Sequence, residues 1–274
     1  MTEKPANPDE SMSPSGAARS SAPSVLIALG LIVLYFLMQA AAGAIVSLIV
    51  GAVERIRHPD LSHADLHGHV MALLQRPDSN ALFVIVGLPL IALVMLSIVH
   101  RKWPALWSLA PPQGFGFAPA ASAYWYVWAF IVGVVAPPLG GVLTELLAHG
   151  QTVSQNVEEL SRHASENLRL PLAIVMVIVG PLIEELLFRG VLLSALMRRL
   201  STAWSITISA VLFGVVHLEG LDFKWFALPG LILLAVGLAW LRLKSSSLWP
   251  AVVAHGVYNL FALIALFATI AGST

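Results

Sequence analysis

The sequence predicts an all-α protein, a polytopic transmembrane helix bundle with its candidate catalytic core in the C-terminal half. Three observations predict it. Of 274 residues, 58% are hydrophobic and 11% charged, where a soluble domain carries about a quarter charged residues; mean hydropathy is +0.83. The apolar runs are long enough to span a bilayer, which takes about 20 helical residues. Tryptophans cluster near the ends of these runs, at Trp103, Trp107, Trp125, Trp128, Trp204, Trp225, Trp240 and Trp249, as an interfacial belt requires.

Seven spans are expected, near residues 24–53, 81–99, 122–148, 170–197, 203–219, 224–241 and 248–271; an eighth short span or a re-entrant segment is compatible with the pattern. Residues 1–22, rich in Pro, Ser and Ala, read as a disordered tail. They are not a signal peptide, because the apolar run behind them far exceeds a signal h-region. Spans and loops over 23–169 form the N-terminal part, and 170–274 the candidate core. The first span is long enough to tilt or to extend past the bilayer. Arg101-Lys102, Arg198-Arg199 and Arg242/Lys244 flank alternate loops, with Lys4 and Arg19 in the tail. The 149–169 loop sets Glu158, Glu159 and Glu166 against Arg162 and Arg169. This asymmetry places the N-terminus in the cytoplasm and the C-terminus outside; the expected location, as a multi-pass protein, is a bacterial inner or plasma membrane.

Composition also excludes. The chain has no cysteine, which removes disulfides, thiolate metal sites and cysteine nucleophiles together. Its formal net charge is zero, so nothing points to nucleic acid. The 54–80 stretch holds His58, Asp60, His63, Asp65, His67 and His69. His63 and His67 would share a helical face, and His-rich tracts can bind metal; the plain expectation is a solvated extramembrane loop. Glu145 lies about one turn from the end of its span, within snorkelling reach.

Chemistry concentrates in three spans. Glu184 and Glu185 lie side by side in an apolar run, with Arg189 one turn on. A charge at mid-bilayer costs roughly 2.5–3.5 kcal/mol on insertion scales, so two acids there need a reason. Glu185 and Arg189 are i,i+4 and share a face; Glu184 is rotated by about 100°. Arg189 therefore neutralises Glu185 and leaves Glu184 aimed elsewhere. Phe213 and His217 share a face in the fifth span, as do His255 and Asn259 in the seventh. At about 1.5 Å per residue, Glu184 lies roughly 20 Å from Arg198, His217 roughly 20 Å from the start of its span and His255 roughly 16 Å from Lys244. All three distances start from the proposed cytoplasmic side, so groups on three helices reach one level. Pro181, three residues before Glu184, predicts a bend or a widened turn.

A carboxylate in a low-dielectric pocket moves toward general-base range. His217 can orient water, and His255 with Asn259 can donate to an oxyanion. The set describes amide hydrolysis by an activated water. Glu184, His217 and His255 would equally hold a zinc-like divalent metal that acidifies the water; the sequence allows this cofactor without requiring it. No span contains an aspartate, no His-Glu-x-x-His occurs and no span carries a Gly-x-Ser-Gly elbow, which argues against the aspartyl, zincin-like and rhomboid-type alternatives.

The ordered triple Glu-Glu-x-x-x-Arg, Phe-x-x-x-His and His-x-x-x-Asn on successive hydrophobic segments, over about 170–262, resembles the CPBP family. That family includes the type II CAAX prenyl endopeptidases and bacteriocin-processing or self-immunity proteins. The resemblance implies an all-helical membrane core opening toward the cytosol and, in the CAAX branch, removal of a C-terminal tripeptide after a prenylated Cys. It makes Glu184 the base, with Glu185 and Arg189 accompanying it in the first motif. His217 becomes the second-motif partner, and His255 with Asn259 the oxyanion pair. The expected partners are membrane lipids and a peptide or lipidated-protein substrate in the membrane. Two other functions are compatible with the residues: a non-catalytic immunity or peptide-binding protein, and a proton-coupled transporter relaying through Glu184 and Glu185. The latter is expected to carry an inverted repeat, and none is visible.

Overall fold

A computed structural model describes residues 22–111, 113–150 and 162–271, the last six by backbone alone. Residues 1–21 of the expected tail and the acids Glu158 and Glu159 fall outside the described residues. Among the described residues there is no strand. The helices are α1 (Val25–Arg57), α2 (His63–Leu74), α3 (Pro77–Lys102), the single turn α4 (Pro104–Trp107), α5 (Tyr124–Ala148), α6 (Glu166–Leu196), α7 (Thr202–Val216), α8 (Leu228–Ser245) and α9 (Trp249–Ala271). Helices α1, α3, α5 and α6, and α8 with the short turn before it, are long and apolar enough to cross a membrane; α7 and α9 are shorter apolar helices over their fully described parts. The chain is a multi-pass membrane protein, and all seven expected spans correspond to helices.

Local sequence sets the boundaries. Ser24, Ser62 and Ser201 each accept a backbone N–H from the first turn of α1, α2 and α7, satisfying donors that a helix start leaves free. Proline stands at the start of α3 and of α8, where its missing N–H costs nothing.

Two expectations need correction. The 54–80 stretch is largely helical: α1 runs on to Arg57, and Ser62 with Asp65 caps α2 reciprocally, Asp65 N–H to Ser62 Oγ at 3.2 Å and Ser62 Oγ–H to the Asp65 carboxylate at 2.6 Å. Nor do all the tryptophans face outward. Trp103 is buried edge-on to Phe115 and Trp107 stacks on Phe117 at 4.0 Å, because the chain after α3 folds back under the bundle. Trp204 and Trp225 are exposed, and so is Glu145.

Helix α6 is the centre. Every residue from Leu186 to Leu196 is buried, against α1, α3 and α7 on one side. A second core joins α5, α8 and α9. There Gly140 and Gly230 meet so closely that a Cβ on Gly230 would stand 2.9 Å from the Gly140 Cα, the small-residue contact typical of helices in lipid.

Candidate active site

Helix α6 changes its winding around the two acids. It is π-helical over Val175–Val179, α-helical over Gly180–Glu185 and π-helical again over Leu186–Leu192. The bend or widening expected at Pro181 is thus a wide turn just before it. Gly180 N–H bonds Val175 O, five residues back. Continued by one residue, that register would join residue 181 to Met176 O, but proline has no N–H. Asn259 Nδ2 supplies the missing donor to Met176 O at 2.9 Å. The Val177 carbonyl lies 2.6 Å from where a Cβ on Gly256 would be, so glycine is required for α9 to approach.

The acids divide their roles by orientation. Glu185 is fully buried: its Oε1 accepts from Arg189 Nη1 at 2.8 Å and from His255 Nδ1 at 3.0 Å. Arg189 also donates to Ala235 O at 3.2 Å and lies 4.3 Å from the Phe213 ring centroid. A buried ion pair persists only when such further contacts compensate for lost hydration. Glu184 points the other way, into a cavity of about 350 Å³.

Two imidazoles face Glu184 there. His217 Nε2 is 3.7 Å and His255 Nε2 3.8 Å from the same Glu184 Oε2. His217 caps the C-terminus of α7 and hydrogen-bonds Phe213 O through Nδ1 at 2.7 Å. A carbonyl only accepts, so His217 Nδ1 carries the proton; the Glu185 carboxylate, paired with Arg189, fixes His255 Nδ1–H in the same way. In its neutral form each imidazole would present a bare Nε2 toward Glu184. Phe213 touches both rings, with centroids at 4.6 and 5.7 Å, and so sets their spacing.

Glu184, His217, His255 and Asn259 all line the cavity. Glu185 and Arg189 stand behind it as support. The sequence reading missed the far wall: Tyr35 and Gln39 of α1, Val84 and Leu88 of α3, and Tyr258 of α9. Gln39 was detectable, as an amide deep within an apolar span; Tyr35 carried no pattern. For the zinc-like alternative, the carboxylate and two bare Nε2 atoms are suitable donor types, but their spacing is wide. Among the described residues, the only three such groups with ligand atoms mutually within 4.8 Å are Glu54, His58 and His69.

Comparison with known proteins follows the same residues. Residues 166–261 match the family model of type II CAAX prenyl endopeptidase Rce1-like proteins. The match covers about a third of the chain. The match runs from the start of α6 into α9 and includes every residue of the three motifs. The chain is also 27% identical over 144 residues to "Putative membrane peptidase YdiL" of Bacillus subtilis (strain 168), an alignment covering 52% of this chain and 56% of the relative. The chain thus spans about half the length of that relative. No solved structure matches.

Proposed function

We propose that this protein is an intramembrane endopeptidase in which Glu184 activates water for attack on a peptide bond. One observation carries the reading: two imidazole nitrogens and a carboxylate oxygen from three helices converge at 3.7 and 3.8 Å inside a bundle of apolar helices. These gaps exceed direct hydrogen bonds and leave all three atoms free to share a water on the cavity side. Such a water gives a proton to Glu184 and a hydrogen bond to a bare Nε2, leaving its lone pair for the carbonyl carbon. The C–O bond forms and the carbonyl becomes an oxyanion. The C–N bond then breaks, and the proton held by Glu184 passes to the leaving amine. Asn259 spends one N–H on Met176 O and has a second for the oxyanion; His255, with its Nδ1–H held by Glu185, can donate beside it only when its Nε2 also carries a proton. Glu185 and Arg189 hold His255 in place.

The substrate is a peptide or lipid-modified protein segment that enters from the membrane, since the cavity walls are largely apolar. CAAX-type C-terminal processing is the reading the family match favours. The N-terminus lies in the cytoplasm of a bacterial cell and the chain in its inner or plasma membrane. The test is mass-spectrometric cleavage of farnesylated and unmodified C-terminal peptides by purified wild-type and Glu184→Gln protein, with and without chelator. Chelator-resistant cleavage lost in Glu184→Gln supports the glutamate reading. Cleavage lost on chelation and restored by zinc supports the second reading, a metal on Glu184, His217 and His255, which the paired bare nitrogens favour. Full cleavage by Glu184→Gln rejects both.

A further inference from the structure

We propose that Glu54, His58 and His69 form a binding site for a zinc-class divalent cation that fastens α2 to the end of α1. The site is independent of the cavity. Glu54 lies 19 residues beyond Tyr35 on the same helix, about 28 Å along its axis.

The three residues come together for a structural reason. Glu54 and His58 are one turn apart at the C-terminal end of α1, a spacing that puts both side chains on one face. The chain then turns through residues 59–62 and returns as α2, which brings in His69. Arg55 secures that turn, donating to Leu61 O at 2.7 Å and contacting His63 Nδ1 at 3.2 Å. The His63/His67 pair suggested by sequence spacing is not the cluster; His69 faces α1 instead.

The ligand atoms have the right type, and both imidazoles stand at a suitable distance from the carboxylate. His69 Nε2 is 3.2 Å and His58 Nε2 3.5 Å from the same oxygen, Glu54 Oε2, and all three atoms lie within 4.8 Å of one another. Zinc bonds of about 2.0–2.2 Å to nitrogen and oxygen put tetrahedral ligand atoms about 3.3–3.5 Å apart. Arg57 Nη1 donates to Glu54 Oε1 at 3.1 Å, which fixes the carboxylate and leaves Oε2 for the cation. The Glu54 side chain is 7% exposed, those of His58 and His69 50% and 41%. The carboxylate is thus positioned by packing, while the imidazole side stays open to an entering ion and to a water as fourth ligand. Two imidazoles with one carboxylate select zinc-like ions over calcium or magnesium.

The test is calorimetric titration of zinc into full-length Glu184→Gln protein, freed of metal by chelator and bearing no histidine tag. That background silences a Glu184-based metal site in the cavity. One zinc per chain is expected, with a rise in the thermal unfolding midpoint. His69→Ala and His58→Ala should each weaken binding by more than the roughly 10–100-fold that loss of an outer-shell partner costs. The isosteric Glu54→Gln should weaken it too, which guards against a misfolded alanine variant. Magnesium should not compete. A His63→Ala/His67→Ala protein should bind as tightly as its parent. Absence of zinc binding, binding unchanged in a His58→Ala/His69→Ala protein, or binding lost with His63 and His67 instead would overturn the proposal.

Discussion

A glutamate meets two histidines twice in this chain, and the surroundings make the meetings different. In the cavity, Glu184 stands 3.7 and 3.8 Å from imidazoles whose other nitrogens are held by Phe213 O and Glu185. At the end of α1, Glu54 touches His69 at 3.2 Å, Arg57 holds its other oxygen and the imidazoles face outward. The first set is enclosed in apolar helices with room between its members; the second is closed on itself and open to ions. Residue type therefore does not decide the chemistry. What decides it is which atoms the fold has already committed, and how far apart the remainder are held.

The largest expected effect breaks the cavity set. Glu184→Gln keeps the shape and removes the base, and cleavage should fall about 10²–10⁴-fold, the usual contribution of general acid–base catalysis. Zinc binding at Glu54 should be unchanged; a joint loss would deny that the clusters are independent. Next comes the support behind the cavity. Arg189→Met strands a buried carboxylate and should cost about 3–5 kcal/mol, whereas Glu185→Leu/Arg189→Met removes both charges and should recover most of that stability. Unfolding in detergent measures both. The double variant should still cleave poorly, because His255 has lost its anchor.

These predictions show how much was legible in the chain. The i,i+4 rule places Arg189 on Glu185 and frees Glu184 from sequence alone, since helical geometry fixes which neighbours share a face. The spans were equally plain, because about 30 Å of hydrocarbon imposes a length that composition reveals. The far wall was not legible: Tyr35 and Gln39 reach the cavity through the packing of α1 on α6, which no local pattern encodes. Asn259 was legible as a cavity residue, but its bond to Met176 O was not, because it depends on a π-turn meeting a proline. The histidine stretch misled for a similar reason. Its spacing pointed to His63 and His67, while the return of α2 brought His69 to Glu54.

A smaller effect sharpens the Pro181 account. Asn259→Ala should destabilise the protein by about 1–3 kcal/mol through the unpaired Met176 carbonyl. In a Pro181→Ala background the new N–H can take that carbonyl, and the same substitution should cost less. A double-mutant cycle by detergent unfolding measures the difference, and strict additivity would show that the two residues do not share a partner. The smallest effect is on the other cluster: His69→Ala should leave the cleavage rate within about twofold, as expected for sites far enough apart to act independently.

The most direct measurement is hydrolysis in ¹⁸O-labelled water by the purified, chelator-treated protein against its Glu184→Gln variant, across farnesylated and unmodified C-terminal peptides. The account predicts one ¹⁸O in the newly formed carboxylate from the wild type and nearly none from the variant. Equal labelled product from both proteins, or no product from the wild type with any peptide, would contradict it.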